Sequence, residues 1–422
     1  MTEEKHVSTL KERFESLSSQ SLKNLRSKSW ERFEALGLPN RKNELWKYVK
    51  SRKLLTPSSF AKETPQVDPS VFFLPESSDS TLVFVNGSYS PSLSKVPQNV
   101  TAMELSKAST SFGAFLNNQW GHSLKNDTDP YATLNGALHE EGLFLYIPPN
   151  KVIESPIHLL HIVSSPDSIV TMPRTHVFVG AQSEASLITQ TIAWNNEHGV
   201  NQVLEFSIEE GANVSLYQMD SEQQASNWHL TAIRGQLKKN SVFSSLSTTM
   251  GSATTRHDYR LTMLGENAEV SLEGLALLHH HTEAHTNVLI EHKAPNCRSN
   301  QLFKSVLDGA SRSSFEGKIF VDPIAQKTEA YQLNSNIVLD DKASANCKPN
   351  LEIFADDVKA SHGATIGQLD PEQLFYLKAR GLTERHARSL LIRGFCMELL
   401  EKIPTPLLRN VVTDQVYELW YR

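Results

Sequence analysis

More than 200 residues of this chain, from Gly142 to Ile366, consist of short apolar or alternating segments separated by small polar turns. Segments such as Leu143–Ile147 and Val203–Ile208 have the length and residue types of strands. Turn sequences such as Glu210–Asn213 and Gly265–Ala268 separate them, and no long helical pattern intervenes. Stacked coils of parallel strands bury an apolar interior between neighbouring rungs and can grow to any length. The pattern therefore predicts a parallel β-helix rather than alternating βα units or a sandwich.

Helical patterns flank this series on both sides. Leu10 and Phe14 share one face of an amino-terminal helix, and Gly37 ends the next helix. After the series, Asp370–Glu372 supplies an N-cap, a proline at the first helical position and an acid in the first turn. We predict three units: a helical domain with a connecting region at 1–141, the β-helix at 142–366, and a carboxy-terminal helical domain at 367–422.

Charge and hydrophobicity exclude two classes of partner. The net charge is -6 and no dense block of Lys and Arg occurs, which argues against a nucleic-acid binder. No apolar run approaches the roughly 20 residues that span a bilayer, which argues against a membrane-spanning segment. The first residues are polar and acidic, which predicts no signal peptide and a cytoplasmic protein.

The chain has three cysteines, which lie far apart and without CxxC spacing. Cys297, Cys347 and Cys396 thus fit a reducing compartment and exclude a disulfide framework. They also make a poor ligand set for a permanent iron–sulfur cluster, which usually takes about four thiolates. We expect Cys297 and Cys347 to be buried, inert thiols.

Polar residues gather in the segment Leu351–Leu369. It begins as an alternating strand and then brings Asp356, Asp357 and His362 to the predicted end of that strand, next to Gly363, which can take a positive φ. We predict that a polar rim ends the sheet here. Adjacent strand residues point to opposite faces, so the two acids cannot act as a catalytic pair. No phosphate-binding loop or nucleophile elbow is present, and we expect no enzymatic activity.

The same region resembles the SufB/SufD family, whose members are scaffold subunits of iron–sulfur cluster assembly. The likeness runs over some forty residues, and a second match at the other end of the chain resembles the motif typical of the SufD branch. The length of the chain and its few cysteines also favour the SufD branch. The matching segments are Pro349–Ile353, Asp356–Lys359, Ser361–Thr365, Gly367–Asp370, Leu374–Leu377, Arg380–Gly381 and Gly37–Tyr48.

The resemblance implies a right-handed parallel β-helix with helical domains at both ends. It further implies a SufD-like scaffold of the SufBCD complex that pairs with a SufB-like subunit, shares a transient iron–sulfur cluster with it and supports iron acquisition. No cofactor is expected on the isolated chain. The tail could pack only on its own β-helix, but in the family the carboxy-terminal helices dock the SufC ATPase. Residues expected to bind that partner are Leu374, Phe375, Leu377, Leu390, Leu391 and Phe395.

His362 is the predicted cluster or iron ligand. Imidazole binds iron, although a single histidine is more often a structural hydrogen-bonding group. The family match corresponds to a histidine implicated in forming the cluster at the SufB–SufD interface, which favours the functional role. Many family members have cysteine where this chain has Ala360. We therefore expect the thiolate ligands to come from the partner.

Two other interpretations remain open. His279–His281, His285 and His292 could form the metal site of a β-helix enzyme, because His279 and His281 would share one face of a strand. Their spacing matches no standard zinc motif, and hydrogen bonding along the solenoid is the simpler interpretation. A purely structural alternative is a solenoid that forms homodimers through its free strand edges.

Overall fold

The computed structural model describes residues 3–17, 22–40, 42–51, 54, 59–60, 68–194, 197–220 and 227–421. Strands are the main regular structure of the described chain, with helices before and after the solenoid. The helices are α1 (Glu3–Ser16), α2 (Lys23–Leu36), α3 (Leu105–Ser111), α4 (Gly113–Asn126), α5 (Pro130–Leu138), α6 (Pro371–Ala379), α7 (Glu384–Leu400) and α8 (Pro406–Tyr421). None of these helices is long and apolar enough to cross a membrane.

The strands follow one another with only short turns from residue 143 onwards. In chain order they are β1 (Ser59–Phe60), β2 (Thr81–Val85), β3 (Ser88–Tyr89), β4 (Thr101–Glu104), β5 (Leu143–Ile147), β6 (Ile157–Ser164), β7 (Ile169–Thr171), β8 (Arg174–Val179), β9 (Glu184–Trp194), β10 (His198–Ile208), β11 (Asn213–Asp220), β12 (Trp228–Leu237), β13 (Val242–Thr249), β14 (Thr254–Met263), β15 (Glu269–Leu278), β16 (Glu283–His292), β17 (Arg298–Leu307), β18 (Arg312–Val321), β19 (Thr328–Val338), β20 (Ser344–Ile353) and β21 (Val358–Gly367).

From β8 onwards, successive strands alternate between two facing sheets. Sheet A has the order β20-β18-β16-β14-β12-β10-β8-β5-β4, and sheet B has the order β21-β19-β17-β15-β13-β11-β9-β6-β2-β3. Each strand pairs in parallel with the strand two positions along, so that Asn213 lies beside Val242 and Glu283 beside Arg312. The predicted parallel β-solenoid is confirmed, with about seven turns and helices at both ends.

A ladder of left-handed turns links sheet A to sheet B in successive coils. Asn240, Asn267 and Asn296 occupy equivalent positions in three of these turns, each with a φ near +60°. Asparagine tolerates this conformation better than most residues do. The amide of Asn240 donates to the carbonyl of Glu266 at 2.9 Å, in the next coil. The polar turns in the sequence therefore act as regular corners whose backbone groups are satisfied between coils.

The interior between the sheets is apolar in one half and polar in the other. Towards the ends of the sheet A strands, inward positions such as Leu261, Ile290 and Ile319 are buried and apolar. Nearer the strand beginnings, inward positions carry polar groups, for example His257 stacked beside Thr286. Stacking in register places like residues above one another, so the polar groups form a continuous seam.

The amino-terminal helices pack on the outer face of sheet A. The side chain of Asn135 in α5 donates to the carbonyl of Asn201 in β10 at 2.7 Å. In the segment before α5, Asp127 accepts from Arg234 of β12 at 2.7 Å, and Arg234 also contacts Asp258 of β14 at 2.8 Å. All three side chains of this charged group are buried. It fixes the helices to two neighbouring coils.

The carboxy-terminal helices α7 and α8 pack on the outer face of sheet B. Ile392 and Cys396 of α7 join one apolar cluster with Leu275 and Leu302 of β15 and β17. Lys304 of β17 donates to the carbonyl of Phe395 at 3.0 Å and contacts Glu398 at 2.7 Å. These contacts lie on strands β9 to β17, and Leu333 on the outer face of β19 is exposed.

Candidate functional site

The solenoid ends in β20 and β21. β20 pairs with β18 and β21 pairs with β19, and within the described chain no further strand covers the outer edge of either. Asp356 and Asp357 lie in the turn between these strands rather than in a strand. Gly363 lies within β21 and has no positive φ, so the turn predicted there is wrong. In-register pairing with β19 continues through this glycine and outweighs its preference for turns.

His362 lies on the inner face of β21. Its in-register partner is Gln332 of β19, and such partners point to the same face of a parallel sheet. Gln332 is only 3% exposed, and neither of its amide atoms has a hydrogen-bond partner among the described residues. His362 is exposed because this is the last coil. The imidazole thus lies on the open end of the interior, above a buried polar side chain.

Cys347 faces the same interior from β20. It pairs with Phe315, which is buried and packs against Phe303 with ring centroids 5.1 Å apart. The thiol donates to Oδ1 of Asn334 at 2.8 Å and accepts from Nδ2 of Asn336 at 3.3 Å. Burial raises the pKa of this thiol, and the hydrogen bond from Asn336 opposes that rise. Cys347 is half-buried, so the expectation of a buried thiol is wrong for it, whereas Cys297 is buried as expected.

Ala360 is also on the inner face of β21, beside Ala330 of β19. Its methyl group packs with Ile319 and Val321 in a small apolar cluster. This side chain offers no lone pair to a metal or to sulfur. Charged pairs, such as Lys359 with Glu329 at 3.2 Å, lie on the outer faces nearby.

The predicted docking residues divide between exposed and half-buried positions. α6 has no buried side chain, and Phe375 on this helix is 74% exposed. Leu390 of α7 is 49% exposed, whereas Phe395 of α7 packs partly against the cluster on sheet B. Leu374, Leu377 and Leu391 are half-buried. The apolar stripe of the tail is therefore shared between the solenoid and an exposed surface.

Comparison with known families covers nearly the whole chain. The SufBD core domain of SUF-system iron–sulfur cluster assembly matches residues 161–395, and the SufBD amino-terminal region matches residues 5–159. The chain belongs to the SufBD family. The core match contains both terminal strands of the solenoid and most of α7.

Relatives of this SufBD chain extend over most of its length. A SufBD family protein of iron–sulfur cluster assembly from Synechocystis is 32% identical over 391 residues, which cover 88% of this chain and 85% of that protein. The iron–sulfur cluster assembly protein SufD of Escherichia coli is 29% identical over 386 residues, covering 90% and 89%. The chloroplast protein ABCI7 of Arabidopsis thaliana is 29% identical over 299 residues, covering 68% and 62%. These similarities identify a SufD-type protein of iron–sulfur cluster assembly.

The histidines at 279–292 of this SufBD chain do not form a metal site. His279–His281 lie in the turn before β16, where His280 has a φ of 56°, so the expected strand with His279 and His281 on one face is wrong. His285 bonds Ser314 at 2.7 Å, and His292, at the far end of β16, bonds Ser299 at 2.9 Å. Among the described residues no three His, Cys, Asp or Glu side chains are placed to hold a metal ion. The metal site expected from the spacing of these histidines is therefore not found among the described residues.

Sequence reasoning did not place Cys347 and Gln332 at the open end of the SufBD solenoid. Both lie in strands whose register decides which side chains face inward, and a shift of one residue reverses that direction. The recurrence of asparagine turns at Asn240, Asn267 and Asn296, at similar intervals, is the signal from which the register could have been derived.

Proposed function

We propose that this chain is the SufD-type, non-catalytic scaffold subunit of a SufBCD complex. The observation that supports this proposal is the open end of the solenoid. The outer edges of β20 and β21 are covered by no described strand, and the exposed His362 lies on the inner face of β21. Unpaired edges are templates for pairing with another chain. Membership of the SufBD family links the chain to iron–sulfur cluster assembly. The uncovered edges of β20 and β21 offer a surface on which the strands of a related solenoid can pair.

The proposed SufB-facing surface combines backbone and apolar groups. Phe354, in the turn between β20 and β21, is 58% exposed and packs against Phe320 in a tilted arrangement with ring centroids 5.4 Å apart. Ile366 and Leu333 are also exposed large apolar side chains. Exposed large apolar side chains at an uncovered sheet end are candidates for contact with a partner. A second copy of this chain could use the same edges, and sizing the chain with and without SufB distinguishes a homodimer from the working heterodimer.

His362 is expected to contact the iron–sulfur cluster as it forms between the two subunits. Replacement by alanine removes an imidazole ligand without removing a packed side chain, because His362 is exposed. In a mixture with SufB and SufC, we expect His362→Ala to lower the cluster yield by at least about tenfold, which absorbance of the cluster measures.

The matched control for His362 is Ser361→Ala, an exposed change on the opposite face of the same strand. It should leave the yield within twofold of the unmodified chain. Equal yields for the two variants, with the complex intact, would contradict the role of His362.

SufC is expected to bind the exposed face of α6 and α7. Phe375 is the most exposed large apolar residue in the described chain, and Leu390 lies on the next helix. A buried aromatic anchor at an interface contributes about 2 kcal/mol or more, which corresponds to roughly thirtyfold in affinity. We expect Phe375→Ala to weaken SufC binding by about that factor, measured by calorimetry.

The control for docking is Val152→Ala, an exposed apolar residue that is 66% accessible and lies in the first half of the solenoid. It should not change SufC affinity. Equal affinity for Phe375→Ala and Val152→Ala would remove α6 from the proposed interface.

A further inference from the structure

The Gly37–Tyr48 motif has no role in the proposed function, yet its second half lies against the solenoid. Residues 42–51, which we call the strap, cross the outer face of sheet A, and Trp46 anchors them there. The indole is 1% exposed, the guanidinium of Arg256 in β14 lies 4.1 Å from the ring centroid, and the ring of Tyr131 in α5 lies 4.7 Å away. A packed indole beside a buried cation fixes the middle of the strap.

Charged side chains connect the strap to the strands beyond β14. Lys50 pairs with Glu283 at the start of β16, and Glu44 pairs with Lys348 in the middle of β20. Lys348 also contacts Glu316 of β18 at 3.1 Å. Because β14, β16, β18 and β20 are consecutive strands of sheet A, the strap reaches from β14 to the last coil of the solenoid.

β20 is held more weakly than the strands before it. No residue of β20 is buried, whereas every second residue of β18 is buried. β20 pairs with β18 on one side, and no described strand covers its other edge. Segments with little buried surface and an unpaired edge open at a low cost in free energy. A contact from outside the sheet therefore affects how often this strand stays in place.

The pair of Glu44 and Lys348 has the properties of a latch rather than of a permanent link. The two side chains are 70% and 44% exposed, so salt screens their attraction and the contact opens easily. The hydrogen bond from Lys348 holds the pKa of Glu44 below its ordinary value, and Lys318 and Lys47 lower this pKa further. The carboxylate is thus ionised near neutral pH, and the latch is closed at rest.

We propose that the strap is a conformational device in which Glu44 latches the last strand of sheet A through Lys348, and so holds the free edge of β20 in the position that a SufB-like partner meets. The inference rests on the proposed function, because binding of that partner gives the latch its purpose. An edge that is ordered beforehand binds more tightly, since less conformational entropy is lost on association.

Hydrogen–deuterium exchange of the full chain tests the latch without a partner. Glu44→Gln keeps the size of the side chain and removes its charge, and the protected amides of β20 should then exchange about threefold faster. In a chain that already carries Lys348→Gln, the same change should alter the rate by less than about 1.5-fold, because the contact is absent from both. Glu31→Gln, at an exposed acid of α2, is the matched control and should leave β20 unchanged.

Calorimetry with SufB is the second measurement. Glu44→Gln should weaken binding about threefold, and by less than about 1.5-fold when Lys348→Gln is already present. Unchanged exchange of β20 in Glu44→Gln would overturn the latch and leave the proposed function standing. Faster exchange with unchanged affinity for SufB would overturn the role of the latch in positioning the edge. A complete lack of SufB binding by the unmodified chain would overturn the proposed function, and with it the purpose given to the latch.

Discussion

Lowering the pH from 7 to 5 is expected to destabilise the folded chain by about 8 kcal/mol, at about 2 kcal/mol for each of four buried histidines. Burial lowers the pKa of His158, His257 and His292 to about 4, and burial together with nearby His158 and His229 lowers that of His161 to about 3. The ordinary pKa of histidine is about 6.5, so the unfolded chain takes up these protons first. The stability is complete above about pH 6.5 and is lost as the pH falls towards 4. The loss is comparable to the whole stability of many domains.

Urea unfolding at pH 7, 6 and 5 measures this effect. The double variant His161→Gln/His257→Gln should lose about half as much stability between pH 7 and 5, since two of the four groups no longer titrate. Gln301→Leu is the control, because it changes the same buried interior without changing a titratable group. A chain that is equally stable at pH 7 and 5 would show that these histidines are hydrated or protonated in the fold.

Replacing Arg234 by alanine is expected to cost about 3–5 kcal/mol, because it leaves buried carboxylates without their cation. The guanidinium contacts Asp127 through two nitrogens, at 2.7 and 3.2 Å, and Asp258 at 2.8 Å. Burial opposes ionisation of Asp258, but Arg260, Arg234 and Arg256 outweigh it and hold the pKa of this carboxyl well below its usual range. The midpoint of urea unfolding measures the loss.

Lys239→Ala is the matched control for Arg234→Ala. Lys239 pairs with Glu266 at 3.9 Å, and both side chains are about half exposed. Such surface pairs contribute at most about 1 kcal/mol. A loss for Arg234→Ala no larger than the loss for Lys239→Ala would mean that the amino-terminal helices are not fixed by this charged group.

The repeated coils of the solenoid were predictable because short sequence segments, the strands and the turns between them, determine each coil. Each coil begins again after a small polar turn, and turn residues such as Gly211 and Asn267 take left-handed conformations that few others adopt easily. α5 was not predicted, because all nine of its residues are buried and it therefore lacks an amphipathic pattern. Gly136 within it also lowers helix propensity, yet a Cβ there would lie 2.4 Å from Oγ of Ser29 in α2.

The candidate site was only partly predictable. His362 stands out in the sequence because it lies in a family motif, and the structure places it at an exposed end. Cys347 does not stand out, because its position opposite β21 depends on the register of two sheets and on a turn of four residues. The division of His279–His292 between a turn and strand β16 likewise follows from where the turn falls, which the spacing between the histidines does not reveal.

The packing of α7 and α8 on the outer face of sheet B has a mechanical consequence. Gln368–Asp370 is a short tether, whereas α7 and α8 are fastened across strands β9 to β17 through Lys304 and the cluster around Leu302. A force applied to α6 is therefore shared between the last strand, through this tether, and the middle of the solenoid, through α7 and α8. The solenoid should move as one rigid body, so that its open end is displaced while the pairing of β21 with β19 is kept.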